Sequence, residues 1–443
     1  MVNLIVLISG SIYLVIILVA LLYLFGTRTG SRKVKNTREL ADDFEKPFVS
    51  IIIPTYNEER NIDKCIDSLK KLDYPNYEII LSDGGSTDRT IEIAQSKLEN
   101  VVVDYNVPIG WIGKNWGCHL GYKEAKGEYL LFVDADTVHK PDSLTYFMKI
   151  TLERDSALLS LFPYQILEKW WESINIFIYF ASMLTYGGRN SVNNPQKPNS
   201  YTASGQYMLF KRADYEAFGG HKSLKGSIVE DLALARVVKT KLGRLTYIDG
   251  TNLVTTRMYP DSAISCWRGW MKALFPGTKL TQPRRITGAT IFILWGLFAP
   301  TIIALMSVYG TWPYIVASAI SYVIFSVILF VYWNGKGKHM WLSYIFHPIG
   351  VLIFCIMLGV SAVDIQVRKT ATWRGREYVP DLYAGSQYEE RDLIVGDTNR
   401  IAQLDTDKEI ELDDQIQSFT YAKQKLPKKE KEVKTINRTV KQR

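Results

Sequence analysis

Apolar and polar positions follow three rhythms along the chain. The first is one apolar run over residues 4–25, broken only by Ser and Gly, with the length of roughly 20 residues that a bilayer crossing needs. From residue 48 short β-prone runs alternate with helical segments: strands are predicted over 48–54, 77–83, 101–105 and 129–133, and helices over 61–71, 88–97 and 115–126. That alternation predicts a mainly parallel sheet with helices on both faces. The third rhythm is a set of long apolar stretches over 289–308, 312–332 and 341–363, each of spanning length.

Charge orients these segments. No positive charge precedes the first run and no small-residue cleavage site comes after it, which predicts an anchor and not a removable signal peptide. Arg28, Arg32, Lys33, Lys35 and Arg38 come next, and the positive-inside rule places the chain from residue 48 onward in the cytoplasm. The net charge of +8 sits almost wholly in residues 423–443, which carry nine Lys/Arg against two Glu. The remainder is nearly neutral, so nucleic acid is not an expected partner, and the tail suits solvent or anionic headgroups. Cys65, Cys118, Cys266 and Cys355 form no metal-spaced pairs and read as ordinary thiols of a reducing compartment.

The chemistry gathers where strands end. The strand over 129–133 runs into Asp134-Ala135-Asp136, and carboxyl ends of strands are where open α/β sheets bind ligands. Two acids at i and i+2 can share a divalent cation, Mg²⁺ or Mn²⁺, whose shell is completed by phosphates and water. On its own such a pair is more often a solvated turn. The earlier strands also end in polar turns, Thr55-Tyr56-Asn57-Glu58 and Asp83-Gly84-Gly85-Ser86. In the Gly110-to-Trp116 segment, GWIGKNW, Lys114 stands at a helix start where an anion is favoured, although a loop lysine beside a packed Trp explains it equally well.

In this order, PTYNEE, DGGSTD and DAD resemble the nucleotide-binding half of GT-A glycosyltransferases of the large inverting family that includes cellulose synthase and dolichyl-phosphate sugar transferases. The resemblance implies a Rossmann-like GT-A α/β fold combined with transmembrane helices. It implies nucleoside contacts by Pro54, Thr55, Tyr56, Glu58 and Asp83, and a metal held by Asp136 with Asp134, the latter assisting or touching the ribose. The donor implied is a nucleotide-diphosphate sugar, a UDP-sugar first. Gly84 stands where the family often has a second acid, which leaves base preference open. The GW.GK.W form is similar to membrane glycosyltransferases associated with hopanoid and carotenoid lipids, implying an isoprenoid or other lipid acceptor, with Lys114 on the donor phosphates.

Glu230-Asp231 opens an amphipathic segment that stops at Gly243. As residues alone the two acids serve a helix dipole; by position after the DxD they resemble the family's ED pair, which implies Asp231 as catalytic base with Glu230 beside it. The processive synthases carry QxxRW further on, whereas this chain has Trp267-Arg268-Gly269-Trp270. The missing Gln argues against a polymer-extruding synthase, and the retained acids argue against a non-catalytic nucleotide-sugar scaffold. Arg268 toward the diphosphate and Trp270 against a sugar are candidates; interfacial packing of that segment, and of 170–186, is the alternative.

The expected organisation is an anchor (1–26), basic linker (27–47), catalytic domain (48–258), interfacial helices (259–287), membrane segments (288–366) and a basic segment with a disordered tail (367–443). Three crossings after a cytoplasmic domain would export the tail, yet Lys336, Lys338, Arg368, Lys369, Arg374 and Arg376 argue for the cytoplasmic side. One segment is therefore expected not to cross fully, the one containing His347-Pro348. Thr372 to Tyr378 resembles the WRGR.Y ending of lipid glycosyltransferases such as ceramide glucosyltransferase.

Overall fold

The computed structural model describes residues 44–308, 312–369, 371–373 and 376–378, with Ile8, Ser11, Val15 and Leu18 of the first apolar run. The anchor at large, most of the basic linker, Arg374, Gly375 and the tail from 379 lie outside the described residues.

Runs such as Ile51-Ile52-Ile53 and Leu130-Leu131-Phe132 are buried throughout. Strands covered on both faces read as continuous apolar stretches, and this is why. β1 (Val49–Thr55), β2 (Tyr77–Asp83), β3 (Asn100–Val103) and β4 (Tyr129–Val133) are parallel. Helices α1 (Ile62–Leu69), α2 (Thr90–Lys97) and α3 (Gly113–Glu124) make the crossovers. The chain then lays down β5 (Thr137–His139), α4 (Ser143–Glu153), β6 (Leu158–Phe162), β7 (Tyr164–Ile166), α5 (Ile174–Tyr186), β8 (Tyr207–Lys211), α6 (Glu230–Lys241), β9 (Leu245–Asp249), β10 (Val254–Thr256) and α7 (Ala263–Lys279).

The large sheet has the order β3-β2-β1-β4-β8-β6-β9. Its expected mainly parallel character holds, with β8 the exception: it runs antiparallel to both β4 and β6. Two registers set up the site. Thr55 pairs with Asp83, so the ends of β1 and β2 stand side by side. Val133 pairs with Tyr207, so the end of β4 meets the start of β8. Burying each large aliphatic side chain of this core contributes ~1.5–3 kcal/mol.

A second, smaller sheet, β11-β7-β10-β5, draws strands from four distant segments. Its edge β11 (Gly337–Lys338) lies in the loop between α9 (Trp312–Trp333), which comes after α8 (Pro283–Val308), and α10 (His347–Gln366). The predicted stretch over 341–363 is thus broken, its long helix starting only at His347. Ile315–Trp333 and His347–Gln366 are long and apolar enough to cross a membrane. One apolar core joins α5, α7, α8, α9 and α10, through Phe177, Phe292, Phe325 and Phe354 among others. The segment over 170–186 divides into a 3₁₀ turn at Trp170–Ser173 and α5.

Candidate active site

The carboxyl ends of β1 and β2 form one stitched wall. Asp83 is fully buried and accepts from Thr55 Oγ1 (2.7 Å), the Gly85 and Ser86 amides (2.9 and 2.6 Å) and Ser86 Oγ (2.6 Å). Asn57, in the left-handed region at φ 56°, donates its amide to Ser86 Oγ, and its side-chain oxygen accepts from the Thr87 amide. The Glu58 amide donates to Thr90 Oγ1, and its carboxylate accepts from Asn61 Nδ2. Pro54, Tyr56 and Glu58 remain partly exposed along this wall.

Beside it, charges from three segments converge. Lys114 Nζ, in the first turn of α3, is 2.7 Å from Asp134 Oδ1 and 2.8 Å from Glu230 Oε1. Burial disfavours its charge, but the two carboxylates outweigh that and hold its pKa well above the usual lysine value. For Glu230 burial raises the pKa and Lys114 more than reverses the effect, leaving it below the ordinary value. Asp231 fares differently. It accepts from the Gly205 amide (3.1 Å) and from Leu232 (2.7 Å), yet burial, then the adjacent Glu230 charge, push it up to about 6.

Gly205 packs closely against the charged side chains. A Cβ there would lie 2.7 Å from Lys114 Nζ and 3.3 Å from Glu230 Oε1, so the start of β8 closes directly onto the cluster. Asp136 leaves β4 at the next turn, its carbonyl meeting the Arg257 amide at 3.4 Å. Burial first, then the charges of Asp136, Asp231 and Asp134, raise the pKa of the Tyr179 hydroxyl. Three of the carboxyl-bearing positions expected from sequence, 134, 230 and 231, are thereby gathered at Lys114 and Gly205, with Asp136 following two residues after Asp134.

Residues 50–219 match the family model described as Glycosyl transferase family 2. The chain carries a family 2 glycosyltransferase domain. Over 344 residues it is 29% identical to 4,4'-diaponeurosporenoate glycosyltransferase of Staphylococcus aureus (strain USA300), covering 76% of this chain and 89% of the relative; the enzyme of strain NCTC 8325 / PS 47 matches to the same extent. Among solved structures, mannosyltransferase PcManGT from Pyrobaculum calidifontis, in complex with GDP-Man and Mn2+, superposes with a TM-score of 0.51 at 17% identity, over 83% of this chain and 100% of that one. That likeness is one of fold and assigns the GT-A architecture.

Not every expected residue joins the cluster of this glycosyltransferase. Trp270 donates its indole N–H to Asn175 Oδ1 (2.6 Å) and stands edge-on to Tyr179 and Tyr259, a packing role that ties α7 to α5. Arg268 is exposed on α7. His139 and His221 are buried, and burial lowers both to about 3; they bond Thr137 and Tyr215 as neutral rings.

Other positioning residues are invisible in the sequence. Asn115 Nδ2 bonds the carbonyls of Leu224 (3.0 Å), Lys225 (3.2 Å) and Ser227 (2.8 Å), clamping the start of α3 to the loop that delivers Glu230 and Asp231. Arg257 makes a two-point pair with buried Glu172 (3.0 and 3.3 Å) and reaches Glu168 at 2.9 Å. An amide inside GKNW and a Glu in WWES carry no signal of partners so far along the chain.

Among the described residues no three His, Cys, Asp or Glu side chains are placed to hold a metal as a protein cage. The donor set is the Asp134–Asp136 pair, which suits a hard cation bound through one or two carboxylates and substrate phosphates.

Proposed function

We propose that this glycosyltransferase moves a single sugar from a nucleotide-diphosphate sugar to a membrane lipid, with inversion at the anomeric carbon. The observation that carries the reading is the convergence of Lys114, Asp134, Glu230 and Asp231 on the Gly205 backbone. The wall formed by Pro54, Thr55, Tyr56, Glu58 and the Asp83 loop receives the nucleoside, Asp83 by fixing the shape of that loop. Asp134 and Asp136 would hold Mg²⁺ or Mn²⁺, which would supply positive charge against the departing diphosphate, an effect worth several kcal/mol. The Mn2+ in the PcManGT complex agrees with that choice. Lys114 adds a second positive charge on the same side.

Asp231 takes the proton. As the acceptor oxygen bonds to the anomeric carbon, its O–H proton passes to the Asp231 carboxylate, and the electron pair of the breaking C–O bond leaves with the diphosphate. A base near 6 is ionised at neutral pH and still receptive. The lipid approaches along α5, which presents Tyr179 to the acids and Phe177, Phe180 and Leu184 to an apolar cavity shared with α8, α9 and α10. The catalytic domain faces the cytoplasm, by the basic residues that come directly after the first apolar run.

The acceptor named in the Staphylococcus relative is a carboxylate, which suggests a second reading. An ionised carboxylate brings no proton and needs no base. Purified protein, a nucleotide-sugar panel, Mg²⁺ or Mn²⁺ and membrane lipid extract, with products identified by mass, separate the two when run with Asp231→Asn. For a hydroxyl acceptor, donor binding persists and transfer falls ~10²–10⁴-fold. Undiminished transfer removes Asp231 from the base role and selects the carboxylate. Growth of long chains would instead reveal a polymer synthase.

A further inference from the structure

Helices α8 and α9 form an antiparallel hairpin whose open end stands on the catalytic domain. There Arg285 donates to the carbonyls of Thr185 (3.2 Å) and Tyr186 (2.8 Å), and Tyr332 OH donates to the Tyr179 carbonyl (3.2 Å). Further out, Trp295 Nε1 donates to Ser321 Oγ (2.6 Å) and Phe292 packs on Phe325. The 22 residues of α9 span roughly 33 Å at 1.5 Å each, enough for a bilayer core. After α9 the chain rejoins the domain: the Gln165 amide donates to the Lys336 carbonyl (3.0 Å), the Leu167 amide to Lys338 (2.7 Å), and Lys338 pairs with Glu168 (2.7 Å).

From β11 the chain turns back along α9, but only part of the way. Ser326 Oγ donates to the Tyr344 carbonyl (3.0 Å) and lies 3.2 Å from His347 Nδ1, while the Tyr322 hydroxyl donates to the Ile345 carbonyl. Ser326 stands about 10 Å from the Trp333 end of its helix, so α10 begins about a third of the way into the hydrocarbon. It does not continue outward. Gly350 lies against the Phe177 ring of α5, leaving no room for a Cβ. Ser361 Oγ donates to the Met271 carbonyl (2.5 Å) and accepts from the Phe275 amide (3.1 Å) of α7. Ile365 packs on Ile228, two residues before Glu230.

We propose that residues 340–366 form a re-entrant segment: α10 enters and leaves on the catalytic side, so Arg368 and Lys369 at its end stand on the side of the active site. This rests on the membrane placement proposed above, and not on the transfer chemistry. Irregular backbone survives at membrane depth only where protein satisfies it, and Tyr322 and Ser326 do so for the two carbonyls at the break. The outward stripe Ile349, Leu352, Ile356 and Val360, 57, 47, 49 and 38% exposed, recurs every three or four residues and faces acyl chains. Asp364 and Arg368 pair at 2.7 Å where α10 ends, at the water interface. Arg368 and Lys369 then share a side with Lys336 and Lys338, which removes the conflict between counting crossings and counting charges.

Single cysteines at Thr311, Asn334 or Lys369 test this in the full-length chain, with Cys65, Cys118, Cys266 and Cys355 replaced by Ala and an impermeant maleimide applied to intact and permeabilised cells. Lys369→Cys and Asn334→Cys are expected to label alike, at least tenfold differently from Thr311→Cys in intact cells. Labelling of Lys369→Cys like Thr311→Cys, or of all three alike, overturns the proposal. Should the cysteine replacement impair folding, a green fluorescent protein fused after Arg443 of the unaltered chain, compared with one inserted at Asn334, gives the same reading: both fluoresce or both stay dark, and a split result overturns it. Expected labelling without sugar transfer would sink the proposed function and leave the topology standing.

Discussion

Asp83, fully buried at the end of β2, and Asp231, half-buried in the first turn of α6, are treated in opposite ways. Asp83 meets four donors from its own and the neighbouring strand end. Asp231 meets two amides and a like charge, and its affinity for a proton rises. A carboxylate saturated by its surroundings holds a loop; one left under electrostatic pressure is available for proton transfer. The pair thus divides the site into a frame and a reactive part.

Substituting Asn at each position breaks the comparison most sharply. Asp231→Asn should cut transfer to a hydroxyl acceptor ~10²–10⁴-fold with donor binding, measured by nucleotide titration, unchanged. Chelation should lower turnover about 10²-fold or more, the size of a lost electrophile of several kcal/mol, with recovery on adding Mg²⁺ or Mn²⁺; turnover indifferent to chelators would remove Asp134 and Asp136 from the metal role. Asp83→Asn turns one of the two accepting oxygens into an NH2 that faces donors and should cost about 1–3 kcal/mol of stability in denaturant titration, raising the KM for the nucleotide sugar more than it lowers kcat.

Acidity sharpens the same contrast. With Asp231 at about 6, kcat/KM should climb tenfold per pH unit below that value and level off above it. Stability runs the other way: a carboxyl group whose folded pKa lies above its unfolded value of about 3.9 favours the fold most below the latter, and that contribution is lost as pH rises through about 6. Above pH 6, Asp231→Asn should therefore melt no lower than the parent, by differential scanning fluorimetry. Trp270→Phe, at the small end, should cost ~1 kcal/mol for one hydrogen bond and leave sugar selectivity in place; altered selectivity would return Trp270 to the site.

What the sequence made legible was local. Continuous apolar runs announced β1, β2 and β4 because both faces of those strands are covered, and Asp134-Ala135-Asp136 announced itself as a polar stop after one of them. The small sheet stayed hidden: β5, β7, β10 and β11 are three residues or shorter, too brief for any periodicity. Lys114 was expected against phosphate; that it also stands between Asp134 and Glu230, the latter 116 positions away in the chain, no local pattern could show. Tyr179 read as one more aromatic in an apolar helix, and only the fold brings it to the acids. The Arg257–Glu172 pair, 85 positions apart, was beyond spacing rules altogether.

With α9 in the bilayer as proposed, the two-residue strand at Gly337–Lys338 would tie the membrane to the chemistry mechanically. It borders the sheet whose opposite edge, β5, begins at the residue after Asp136. A thinner or thicker membrane that tilts α9 pulls on that edge and so on the reach of the aspartates. On that placement, lipid acyl-chain length is expected to change turnover, measurable in vesicles of graded thickness.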